Sequence, residues 1–235
     1  MERLRLDRFL SNQLNISRSV IKNQIRKGSA EVNGRKLCDP SVIINAESDR
    51  VLYEGKEVRY KKYIYIMINK PAGILSATED KSEKTVIDII PEDLKRKNLF
   101  PVGRLDKDTT GLLIITDDGE FSHKCISPDK NVKKVYTALL DGEVTDSMIE
   151  KFKNGPVLAD KTKCKPALLE NLGNKTARIT ITEGKYHQIK RMFGTVGLGV
   201  EKLHRNSIGE LELPENLGFG ECIELENGME KFALK

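Results

Sequence analysis

A chain of 235 residues with 38% hydrophobic and 32% charged side chains holds enough apolar material for one large domain or for two smaller ones. It is charged from its second residue (MERLRLDRFL), and no apolar run approaches membrane-crossing length, so a soluble, cytoplasmic protein with no membrane partner is expected. The net charge of +5 is unevenly spread: residues 1–62 carry 14 Lys and Arg against 8 Asp and Glu, the remaining 173 residues 26 against 27, which points to an anionic partner gripped near the N-terminus.

Residues 1–60 read as a compact module. Leu6, Phe9, Leu10 and Leu14 recur at helical spacing and predict a first short helix. Ser17 is a candidate N-cap for a second helix running to Lys27, with Gly28 as its stop. Asn33-Gly34 between short runs predicts a tight hairpin, and DRVLYEG a further strand. On the second helix Val20, Ile21 and Ile25 are expected to face a core. Arg18, Lys22 and Arg26 form a stripe roughly 120° away at 100° per residue. Such a stripe on a lone helix is usually a solvated face. Arg35 and Lys36, just past the hairpin, favour instead one basic surface of five charges, suited to phosphate contact and shape reading rather than base stacking.

A second part, residues 63–235, opens with KKYIYIMINKPAG, a strand followed by a sharp turn at Asn69–Gly73. Leu99–Val102 and Leu112–Ile115 read as buried strands. Between them Gly103 and Gly111 bracket a loop holding Arg104, Asp106, Lys107, Asp108, Thr109 and Thr110. A solvated turn does not need that density of charge between two core strands; a loop presenting a carboxylate to a substrate does. Asp106 and Asp108 are both candidates on chemistry alone, whereas Asp117-Asp118-Gly119 reads as a turn. Tyr136 lies in the strand-like run KKVYTALL. Ile189, Met192, Phe193 and Val196 predict an amphipathic helix from about His187 to Gly197, with Lys190 beside its apolar stripe. The scattered cysteines (Cys38, Cys125, Cys164, Cys222) and three histidines match no metal-ligand spacing, so free thiols and no metal are expected.

The stretch RLDRFLSNQLNISRSVIKNQIRKGSAEVNG, with DRVLYEG, resembles an S4 (αL-like) RNA-binding domain. GRLDKDTTGLLIITDDG, KKVYTALL and ITEGKYHQIKRMFGTVG together resemble the pseudouridine synthases of the RsuA/RluB/RluE/RluF group. The resemblance implies an α+β protein: an S4-like domain at 1–60, then a catalytic domain at 63–235 on a mixed, mainly antiparallel sheet. It implies that Asp106 is the catalytic aspartate, Tyr136 the active-site tyrosine, Lys190 the basic partner of Asp106, and Arg104 the residue that displaces the target base.

Pseudouridine formation breaks the ribose C1′ to uracil N1 bond, rotates the base and joins C1′ to C5. It involves no redox step and no group donor, so no cofactor is expected. It does require a carboxylate that attacks or assists and then leaves, kept ionised by a neighbouring cation. The target base must also leave its stack, at a cost of a few kcal/mol.

NKPAGILSATED, SPDKNVKKVY and EGKYHQIKRMF resemble the members acting on the small ribosomal subunit, where large-subunit members tend to have Asn-Arg in place of Tyr186-His187. That implies 16S rRNA uridine 516 as target, ribosomal RNA or a subunit assembly intermediate as partner, and a monomer. The alternatives are a 23S rRNA synthase of the same group, or a non-catalytic S4-type RNA-binding or ribosome assembly factor. A nuclease is disfavoured by the lack of a metal-binding carboxylate cluster.

Overall fold

The computed structural model describes residues 2–226 and 228–235. The chain folds as two compact units. One runs up to Ile64 and recruits Glu92–Leu99; the other comprises Tyr65–Pro91 and Phe100–Lys235.

In the first unit β1 (Arg3–Arg5) leads directly into α1 (Leu6–Leu14) and, after a short break, α2 (Arg18–Arg26). Leu6, Phe9, Leu10, Ile21 and Ile25 are wholly buried, as the helical spacing requires. Asn15 ends α1 in the left-handed conformation, and the Ser17 hydroxyl accepts from the Val20 amide at 3.4 Å to cap α2. Val20 departs from expectation: it is 47% exposed, because only one stripe of a short two-helix pair reaches the core.

β2 (Ala30–Val32) and β3 (Arg35–Leu37) form the predicted hairpin, with Asn33 (φ 51°) and Gly34 (φ 78°) both at the positive φ that its tight turn demands. β4 (Ile43–Asn45) pairs with β1, and β5 (Val51–Tyr53) and β6 (Lys56–Glu57) complete a four-stranded sheet ordered β3-β2-β5-β6. The Glu92–Leu99 excursion joins this unit through Lys97, whose Nζ donates to Ser11 Oγ at 3.0 Å.

The second unit is built on a nine-stranded sheet. Its strands are β7 (Tyr65–Lys70), β8 (Phe100–Pro101), β9 (Thr110–Thr116), β10 (Lys134–Leu140), β11 (Leu168–Gly173), β12 (Thr176–Ile181), β13 (Val200–Ile208), β14 (Leu211–Glu212) and β15 (Cys222–Glu224). The order is β11-β12-β10-β13-β9-β7-β15, with β8 added to β9 and β14 to β13. All pairings are antiparallel except β13 with β9. The sheet is thus mixed and mainly antiparallel, as expected. β9 is buried from Gly111 to Thr116, on both faces.

α3 (Gly119–Ile126), α4 (Asp146–Lys153) and α5 (Gln188–Gly194) complete the unit. Phe121 of α3 meets Tyr65 edge-on at 5.0 Å, and Phe152 of α4 packs on Phe193 of α5, also at 5.0 Å. Two expectations are corrected. The strand at Leu99–Val102 shrinks to Phe100–Pro101, although the Val102 amide still donates to the Ile114 carbonyl at 2.7 Å. Asp118 is not a turn residue but the N-cap of α3, accepting from the Glu120 and Phe121 amides at 3.0 Å. No helix among the described residues is long and apolar enough to cross a membrane.

Candidate active site

The loop between β8 and β9 is held from below. Lys70, at the end of β7, is completely buried, and its Nζ donates to the carbonyls of Pro71 (3.0 Å), Lys107 (3.1 Å) and Thr109 (3.0 Å). Burial lowers its pKa to about 8, with Asp108 and Asp106 opposing that fall. The Ser76 hydroxyl donates to the Leu105 carbonyl at 2.9 Å and accepts from its amide at 3.1 Å. Gly73 N–H reaches the Lys107 carbonyl at 2.8 Å. These anchors flank Asp106 and leave its carboxylate free.

Asp106 lines a pocket of about 440 Å³ together with Arg104, Tyr136, Ile181, His187, Lys190 and Leu203. Its Oδ1 lies 3.6 Å from His187 Nε2 and its Oδ2 3.6 Å from Lys190 Nζ. The expected ion pair of Lys190 with Asp106 is present but shared: Lys190 also donates to both oxygens of Asp108 at 2.7 Å, and Asp106 is its more distant carboxylate. The tight turn closed by Thr109 N–H on the Asp106 carbonyl brings both acids to one ammonium. The hydrogen bond from Lys190 holds Asp108 below the usual carboxylate range.

Tyr136 is buried on β10, and a register shift between Val135 and Tyr136 sets it opposite Arg205 of β13, skipping Asn206. Such a bulge re-aims side chains. Arg205, 2% exposed, donates from Nη1 to the Tyr136 hydroxyl (3.4 Å) and from Nε to the Leu112 carbonyl (2.7 Å). β9 approaches β13 so closely here that a Cβ on Gly111 (φ 105°) would sit 2.3 Å from the Arg205 carbonyl oxygen. Arg104, one strand-end away, is exposed, and no ion pair holds it among the described residues.

The basic residues of the first unit are less free than their spacing suggested. Asp7, wholly buried on α1, accepts from Arg18 Nη2 at 2.9 and 3.0 Å and from Arg5 Nε at 3.2 Å, with Lys22 Nζ at 3.8 Å. Burial alone would raise the Asp7 carboxyl, but the bonds from Arg5 and Arg18 outweigh it and hold it below its ordinary value. Arg26 is exposed and touches Asn23 at 3.4 Å. Arg35 and Lys36 are adjacent on β3 and so point to opposite faces; Lys36 lies over Gly28 at the end of α2. The five charges therefore do not share one surface.

Sequence reasoning missed Lys70, Ser76, His187 and Arg205 as parts of the site. Lys70 carried a signal as a lone lysine closing an apolar strand, and His187 one as part of the Tyr186-His187 pair that starts the amphipathic helix. No group of three or more His, Cys, Asp or Glu is placed to hold a metal among the described residues.

Residues 64–195 match the RNA pseudouridylate synthase family model. The chain is 39% identical to the ribosomal small subunit pseudouridine synthase A of Escherichia coli K12, over 93% of this chain and 94% of that one. It is 38% identical to the same-named protein of Yersinia pestis, over 93% of both chains, and 38% identical to an uncharacterized RNA pseudouridine synthase of Bacillus subtilis, over 94% and 95%. A crystal structure of a pseudouridylate synthase superposes with a TM-score of 0.69 at 34% identity, covering 98% of this chain and 99% of that one. With this fold, and with a loop-borne carboxylate facing Tyr136 and Lys190, the chain belongs to the RNA pseudouridine synthases, isomerases of uridine in RNA.

Proposed function

We propose that this enzyme isomerises one uridine of ribosomal RNA, with 16S rRNA uridine 516 as the site, through Asp106. The observation carrying the assignment is that the Asp106 carboxylate lines the pocket with no side-chain hydrogen bond consuming it, while its nearest cations stand 3.6 Å away. Such a carboxylate has oxygens available to the substrate.

The reaction is an isomerisation: C1′–N1 breaks, C1′–C5 forms, C5 loses a proton and N1 gains one. Asp106 attacks or assists, and departs when the new bond forms. Tyr136 packs a ring against the base, its hydroxyl steadied by Arg205. Lys190 holds Asp108 below the usual carboxylate range and stands 3.6 Å from Asp106, and unpaired Arg104 takes the space vacated in the RNA and meets its phosphates. The first unit, in this reading an S4-type RNA-binding domain, adds phosphate contacts chiefly from the exposed Arg26, Arg35 and Lys36, since Arg18 and Lys22 are tied to Asp7. The ribosomal target rests on similarity to proteins named for the small subunit.

Mapping pseudouridines in rRNA from cells with and without the gene tests the reading. Loss of the single 16S site, restored by the wild-type chain and not by Asp106→Asn, is expected. Loss of a 23S site instead would reassign the target. An unchanged map would reject rRNA as the substrate.

A further inference from the structure

Tyr186 is the most exposed large apolar side chain among the described residues, at 74%. Its ring is nonetheless ordered by its neighbour: it lies 3.8 Å from the His187 imidazole at 17°, a parallel stack. Consecutive side chains of an extended segment point to opposite sides. These two lie in a turn just before α5, where His187 adopts φ 46°, a left-handed conformation that His takes more readily than most residues, and there the two flat rings align.

The stack is placed with respect to the chemistry. His187 Nε2 is 3.6 Å from Asp106 Oδ1, so the imidazole stacked on Tyr186 is also a neighbour of the carboxylate. Tyr186, His187, Asp106 and Arg104 line one groove of about 1270 Å³, continuous with the smaller pocket through its shared wall. One face of Tyr186 is covered by His187, and the rest is left to solvent.

Resting on the reading above, we infer that Tyr186, backed by His187, is a stacking subsite for the base of a nucleotide flanking the target uridine. When the uridine enters the pocket at Asp106, the adjoining nucleotide is carried into the groove and loses its own stacking partner. A preset aromatic face replaces that partner, and Arg104 supplies positive charge for the phosphates alongside. Base–aromatic stacking tolerates any base, so the subsite grips RNA without dictating the identity of the neighbour.

The test uses the full chain and a 16S rRNA fragment containing the target, alongside two copies with an abasic site immediately 5′ or immediately 3′ of the uridine. Tyr186→Ala should weaken binding to the intact RNA by roughly 5- to 150-fold, the range for losing one base–aromatic stack. It should act on KM more than on kcat, and Tyr186→Phe should restore wild-type binding to within twofold. On one of the two abasic RNAs the alanine variant and the wild type should bind alike. The inference is overturned if Tyr186→Ala binds intact RNA like the wild type. It is also overturned if the loss is the same on all three RNAs, which would make Tyr186 only a support that positions His187. Binding is measured separately from turnover, so absence of pseudouridine in the wild-type reaction would reject the rRNA reading while the binding arms still decide the fate of the stacking subsite.

Discussion

Two carboxylates, one in each unit, sit among cations and are used oppositely. Asp7 is wholly buried and saturated: Arg18 grips both its oxygens at 2.9 and 3.0 Å, and Arg5 adds a bond at 3.2 Å. Asp106 is a quarter exposed and accepts no side-chain hydrogen bond; its cations stop at 3.6 Å. A carboxylate whose lone pairs are all engaged fastens elements together. One that accepts no side-chain hydrogen bond has capacity left for a substrate. Asp108 shows how the difference is kept, because it occupies Lys190 at 2.7 Å and stops that ammonium from closing on Asp106.

The largest effect is expected at Asp106. Asp106→Asn keeps the shape and removes the attacking group, so kcat should fall by at least about 10³-fold with Tm and RNA affinity nearly unchanged. Asp108→Asn should retain turnover. If pseudouridine assays show the reverse, the free carboxylate is not the reactive one.

Lys190→Met should lower kcat by roughly 10- to 100-fold, as expected for losing a positioned charge in the pocket. With that cation gone Asp108 loses the hydrogen bond that holds its carboxyl low, so Asp108 should titrate at higher pH, as carboxylate NMR would read. An unmoved Asp108 titration together with unchanged kcat would show that Lys190 serves the fold alone and would weaken the contrast.

Asp7→Asn should cost about 2 kcal/mol of stability, the scale of hydrogen bonds to a charged group, and leave kcat untouched. The sign of its pH dependence follows from the lowered folded value: the contribution is complete above the ordinary carboxylate range and is lost as pH falls through the folded pKa. Wild-type Tm should therefore drop in acid more steeply than that of the variant, as a thermal melt series would read.

The smallest change is expected from replacing Arg18, Lys22 and Arg26 together by Gln. Arg18 and Lys22 already serve Asp7, so the slope of log affinity against log salt should shrink by less than the roughly 0.7–0.9 per phosphate that three free contacts would give. An unchanged slope would make this face purely structural.

Much of the architecture was legible locally. Leu6, Phe9 and Leu10 marked α1, Ser17 its successor's cap, Asn33-Gly34 the hairpin, and Ile189, Met192 and Phe193 the core side of α5. Asp106 and Asp108 were both visible as loop acids between apolar strands. Which of them holds Lys190 was not, because a helix periodicity says which face a residue occupies and nothing about the acid across from it.

Short-range rules thus determine this protein's helices, caps and turns, since propensity, periodicity and positive-φ requirements act within a few residues. The site is a matter of long-range closure. Lys70 meets Thr109 across 39 residues, Tyr136 meets Arg205 across 69, and Lys190 meets Asp108 across 82. Each contact depends on the strand order, on the parallel β13–β9 junction that only Gly111 permits, and on the bulge at Val135/Tyr136. A shift of one residue in any of those pairings sends the side chain to the other face of the sheet, so only the assembled sheet decides which charges meet.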